Sequence, residues 1–97
     1  MGREQSLRLS ITVSSGSGTG TVTNAWDLVR WLRVIPVGES DTYTLTVKDA
    51  DGHIMLKRTG HTGTFSELVE MSLGIMRTIE ISSASADGTY TCKLDMN

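Results

Sequence analysis

Along residues 6–14, Leu7, Leu9, Ile11 and Val13 alternate without a break against Arg8, Ser10 and Thr12. A period of two puts successive side chains on opposite faces of an extended chain, so this stretch predicts a half-buried β-strand. The same alternation sets Tyr43, Leu45 and Val47 against Thr42, Thr44, Thr46 and Lys48, and sets Tyr90, Cys92, Leu94 and Met96 against Thr89, Thr91, Lys93 and Asp95. Between residues 76 and 83, Arg77, Ile79 and Ile81 lie opposite Met76, Thr78 and Glu80 and are expected to point inward. Residues 53–58 read as a returning strand with Ile54 and Leu56 on one side. From 64 to 73, Phe65, Val69, Met71 and Leu73 share one parity with Glu67 as the single exception, and a short helix is the competing reading.

Turn chemistry separates these runs. Residues 36–40 (PVGES) and 49–52 (DADG) punctuate a three-strand stretch over 31–57 around which the rest is arranged. In the second turn Gly52 can take positive φ, and the Asp side chains can accept from nearby backbone amides. Residues 60–63 (GHTG) read as another loop, Gly74 as a bend and 85–88 (SADG) as the last turn. Residues 14–20 (SSGSGTG) read as a flexible loop within one domain, and 21–23 as a candidate short strand.

Residues 25–35 admit two readings. As a helix, Asn24 caps it, Leu28, Trp31, Leu32 and Ile35 form a stripe, and Pro36 ends it. As a strand, Trp31, Arg33, Ile35 and Val37 share one face, and Leu32, Val34 and Pro36 the other. The β-branched and aromatic richness of the run favours the strand. Such a strand, apolar on both faces, is either central in a sandwich or faces a neighbouring subunit. Seven or eight short strands at about ten-residue spacing predict an all-β protein, an antiparallel β-sandwich of immunoglobulin-like or jelly-roll-like type.

The 97 residues suit a single domain, with the polar residues 1–5 as a possible N-terminal arm. Nine basic and eleven acidic residues, interspersed along the chain, give a net charge of −2. No basic stripe argues for nucleic acid and no acidic run suggests a tail. Cys92 is the one cysteine, so no internal disulfide forms, which fits a reducing compartment. The first twenty residues lack an apolar signal core and no run approaches the ~20 apolar residues that span a bilayer. The expectation is a soluble protein made in a cytoplasm, with no membrane partner.

The chemistry-bearing residues do not assemble into a recognisable site. Asp49, Asp51 and Gly52 match the start of a calcium loop, but the third acidic position and the distant Glu are missing, and a hairpin turn is the simpler reading. A zinc site would need His53, His61 and Cys92 from three segments, and Cys92 itself reads as a buried structural thiol. No nucleophile elbow appears, Glu67 and Glu70 lie on opposite parities, and the Gly16–Gly20 loop lacks the lysine of a phosphate cradle. No enzymatic activity, metal or cofactor is expected. Of the aromatic residues, Trp31, Tyr43 and Tyr90 are expected in the core, while Trp26, beside Asn24 and Asp27, is expected at least partly exposed.

Two resemblances add to this. Residues 6–14 (SLRLSITVS) and 87–92 (DGTYTC) resemble the B and F strands of an immunoglobulin domain, and Trp31-Leu32-Arg33 its C-strand tryptophan; carried over, Tyr90 is the tyrosine of a tyrosine corner. Ile11 stands where the first cysteine belongs. Residues 29–32 (VRWL), 43–52 (YTLTVKDADG), 63–67 (GTFSE) and 87–91 (DGTYT) are similar to small β-sandwich structural proteins of tailed bacteriophages. That resemblance implies a mechanical role as capsid decoration or cement, neck or tail component, in a virion assembled in the host cytoplasm. Partners would be copies of the chain and other virion proteins. The candidate interface is Trp26, Val29, Trp31, Arg33, Ile35 and Val37, together with the arm. The alternative is a small immunoglobulin-like or carbohydrate-binding module.

Overall fold

The computed structural model describes residues 5–22, 28–72 and 76–96, with side-chain burial described over 7–22, 30–69 and 78–95. Eight strands follow one another: β1 (Gln5–Val13), β2 (Gly18–Thr21), β3 (Leu28–Ile35), β4 (Thr42–Asp49), β5 (Ile54–Thr62), β6 (Phe65–Ser72), β7 (Met76–Ser82) and β8 (Gly88–Met96). They form two antiparallel four-stranded sheets, in the orders β1-β8-β3-β6 and β2-β7-β4-β5. Doubling the chain back at the β4–β5 turn brings β4 beside β5, β3 beside β6, β2 beside β7 and β1 beside β8. This wrapping is the jelly roll, one of the two sandwich types the sequence allowed.

The core follows the alternation. Ile11, Val13, Leu32, Val34, Phe65, Tyr90, Cys92 and Leu94 come from the first sheet, and Tyr43, Leu45, Val47, Ile79 and Ile81 from the second; all are buried. The Arg30–Ile35 run is strand, and its Leu32, Val34 and Pro36 face inward as the strand reading requires. Residues 65–72 are likewise strand rather than helix.

Several expectations are corrected. The immunoglobulin likeness fails on connectivity, because its B-like and F-like segments are hydrogen-bonded neighbours in one sheet, with Ile11 registered to Tyr90. Trp31 is not a core residue: its strand position points to the outer face and it is 38% exposed. The 14–20 loop is shorter than expected, since β2 begins at Gly18 and ends at Thr21. A Cβ on Gly18 would stand 2.3 Å from the Thr12 carbonyl oxygen, so glycine here marks a close approach of β2 to β1 and not slack. The expected 60–63 loop lies mostly within β5, which runs to Thr62; Gly60, at φ +63, sits where the register with β4 shifts. Residues 1–4, Trp26 and Gly74 lie outside the described residues, as do the side chains of Val29 and Arg77.

The corners are tied by specific bonds. Ser15 and Gly16, both at positive φ, turn β1 into β2, and the Asp87 carboxylate accepts from both of their amides at 3.0 Å. The Asp49 turn closes as expected, with Gly52 at φ +85 and Asp49 Oδ1 accepting from the amides of Asp51 and His53. Glu39 accepts from the hydroxyl and amide of Thr64, which bind the 36–41 loop to the β5–β6 turn and hold its carboxyl below the usual range.

Candidate interaction surface

On the outer face of the β1-β8-β3-β6 sheet, strand register arranges side chains in rows. One row holds Asp95 of β8, Trp31 of β3 and Leu68 of β6, because Trp31 is registered to both neighbours. The next holds Arg8, Lys93, Arg33 and Ser66, one from each strand. A third holds Ser10, Thr91 and Ile35. Val37, just beyond β3, lies against Gly88 at the start of β8.

Five large hydrophobic residues are exposed among the described residues, and four belong to this region: Trp31 at 38%, Ile35 at 39%, Val37 at 54% and Leu68 at 55%. The fifth, Ile54, is registered to Lys48 on the other sheet. The Trp31 indole is held in place, since its Nε1–H donates to Ser66 Oγ across to β6. An anchored, half-exposed tryptophan beside an exposed leucine carries little ordering cost on burial, which suits an anchor at an interface.

The opposite sheet presents another chemistry. Its outer face presents Lys48 on β4 and Thr78, Glu80 and Ser82 on β7, with Lys48 paired to Glu80 at 3.0 Å, while Thr44 and Thr46, on the same parity of β4, are buried. At the open side between the sheets, Arg58 is registered to buried Leu45 and Glu67 to buried Leu32, so both point inward from edge strands. They meet in a two-pronged ion pair at 3.0 and 2.8 Å, which lowers the Glu67 carboxyl and raises Arg58. This explains the one break in the apolar parity of β6: inward charges guard sheet edges against pairing with another chain.

The remaining candidates separate. Of the expected interface residues, Trp31, Arg33, Ile35 and Val37 are brought onto one surface. Leu68, Arg8 and Lys93 join them unforeseen. Asp49, Asp51 and His53 bring ligand atoms within 4.8 Å of one another, but the Asp49 carboxylate is already engaged by turn amides. His61 faces away from them, edge-on to Tyr43 and Phe65, with Nε2–H donating to the Thr64 carbonyl. Cys92 is buried, and burial pushes its thiol up to about 12. The Tyr90 hydroxyl donates to the Ala86 carbonyl four residues upstream at 3.0 Å.

No family model matches the chain, and no curated protein matches its sequence. Among solved structures it is similar to the crystal structure of PirA, with a TM-score of 0.53 and 11% identity over 100% of this chain and 95% of that one. That likeness concerns the fold. Looser likenesses join it to a carbohydrate-binding module of family 29, with TM-score 0.37, 7% identity, and 97% and 75% of the two chains covered. The enzymatically active domain of tailspike protein 4 of bacteriophage CBA120 gives TM-score 0.32 and 12% identity over 95% of this chain and 15% of that one. Both of these lie too far from the chain to bear on its function.

Proposed function

We propose that this chain is a non-enzymatic structural protein of a tailed bacteriophage particle. In this reading it works through the outer face of the β1-β8-β3-β6 sheet, making contacts with copies of itself and with other virion proteins as capsid decoration, neck or tail component. The observation that carries the reading is the gathering of Trp31, Ile35, Val37 and Leu68 on one side of a small sandwich whose other outer face is hydroxyl-rich and ion-paired. Large apolar groups gathered in the open on one face of a small domain mark an interaction site. The jelly roll supports the reading in kind, since it serves in viral capsids, though equally in lectins. The function then needs no cofactor, and the particle is where the chain resides.

A carbohydrate-binding role would call for several exposed aromatics, and among the described residues Trp31 alone is such a residue. Peptide mass spectrometry on purified particles of the encoding phage tests the proposal. Several copies of the chain per particle are expected. Complete particles that lack it, or saturable binding of a glycan array by the isolated chain, would contradict it.

A further inference from the structure

Strand pairing builds a feature that the linear sequence hides. Arg8 on β1 is registered to Lys93 on β8, and Lys93 to Arg33 on β3, so three cations lie side by side across three adjacent strands. All three are on the outer face, Arg8 exposed and the other two half-buried. With strands about 4.8 Å apart, the row spans roughly 10 Å. None of the three makes an ion pair or side-chain hydrogen bond with the described residues. Like charges directly opposite one another on neighbouring strands destabilise a sheet. A carboxylate at any one of these positions would relieve that cost.

The rest of the chain places its charges differently. Lys48 is paired with Glu80 and Arg58 with Glu67. Glu39, Asp41, Asp49 and Asp87 are engaged by amides or hydroxyls of the loops. Asp95, in the neighbouring row, takes part in interactions of its own. Among the described residues, three of the four lysines and arginines without a side-chain partner, Arg8, Arg33 and Lys93, thus stand in one line, with Lys57 on the other sheet as the fourth. Apolar groups flank the line, Trp31 and Leu68 on one side and Ile35 on the other.

We infer that this row receives an acidic segment of a partner protein, whose carboxylates meet Arg8, Lys93 and Arg33 while its apolar side chains cover Trp31 and Leu68. The inference takes the location of the interface from the proposed function and adds the partner's chemistry. A nucleic acid or an acidic glycan would satisfy the cations but leave Leu68 and Ile35 against water, so the mixed character of the surface favours a polypeptide.

The test is fluorescence anisotropy of labelled peptides with the full chain. The probes are a nine-residue Glu/Leu peptide, Glu-Ser-Leu-Ser-Glu-Ser-Leu-Ser-Glu, whose Glu and Leu side chains share one face when extended, and its Gln/Leu counterpart, with a heparin oligosaccharide and a single-stranded oligonucleotide as competitors. The Glu/Leu peptide is expected to bind, and to weaken by roughly tenfold when salt is raised from about 0.05 M to about 0.5 M. Lys93→Glu and Arg33→Glu should each weaken it by roughly tenfold or more, whereas Lys57→Glu, registered to Thr46 of β4 in the other sheet, should leave it unchanged. Lys93→Glu should also raise the urea midpoint of the free chain, because it breaks the row of like charges; a merely structural lysine would lower it.

Equal binding of the Gln/Leu peptide, or indifference to both charge reversals, would overturn the acidic chemistry; if Trp31→Ala still abolished binding, the interface itself would stand. Loss from neither the charge reversals nor Trp31→Ala would overturn both. Failure of the Glu/Leu peptide to bind, or its displacement by heparin or oligonucleotide at lower concentration than by unlabelled peptide, would also overturn the inference.

Discussion

Tyr43 and Trp31 show how strand position divides two residues of similar bulk. Tyr43 is fully buried, stacked edge-on against Tyr90 and His61, and its hydroxyl donates to the Gly63 carbonyl at 2.7 Å. Burial raises its phenol above the usual tyrosine range, so at neutral pH the hydroxyl is a proton donor. Trp31 instead lies on the outer face, where its indole N–H donates to Ser66 Oγ. Truncating Tyr43 to Ala should cost about 3–5 kcal/mol through cavity formation and a stranded carbonyl. Trp31→Ala should cost about 1 kcal/mol or less. Urea unfolding of the two variants checks the contrast. The sequence marks both rings as core material because size and apolarity look alike from either face of a strand; what decides is which parity of β3 carries Leu32 and Val34 inward.

At the scale of elements, alternation in β1, β4, β7 and β8 was readable because each has a single apolar parity. β3, apolar on both, was readable as a strand, with its second face left open between the interior of a sandwich and a neighbouring subunit. The turns at Asp49 and Gly88 were legible from their residues, whereas the β5 end was not, because Gly60 disguises a strand irregularity as a loop. Glu67 likewise looked like an error in the β6 pattern until its partner, nine residues away, came into view. The Arg58 pair lowers the folded-state pKa of Glu67, so its contribution to stability is present above the ordinary value of 4.5 and is lost as pH falls below it. Glu39 and Asp49, lowered by loop hydrogen bonds, act in the same direction. Arg58→Ala should therefore flatten, without abolishing, the fall in urea midpoint between about pH 6 and about pH 3. The change is modest, as both side chains remain substantially exposed. An unchanged slope would assign the acid sensitivity to the loops alone.

Over the whole molecule, the jelly-roll wrap determines which residues meet on each outer face. Arg8, Arg33 and Lys93 are up to 85 positions apart in the chain and share a row only because β1, β8 and β3 are consecutive in the sheet. Neither the cationic row nor the Trp31–Leu68 pairing can be seen from composition or periodicity, since both depend on register between distant strands. The partial surface that was legible, Trp31 through Val37, came from one strand with two apolar faces. The central claim is that this sheet face is covered when the protein works. Footprinting of the free chain and of the assembled particle, with an amine reagent for lysine and hydroxyl radicals for tryptophan and leucine, tests it most directly. Lys93, Trp31 and Leu68 should react in the free chain and be protected in the particle, while Lys57, on the other sheet, reacts in both. Equal reactivity of Lys93, Trp31 and Leu68 in the two states would contradict the account.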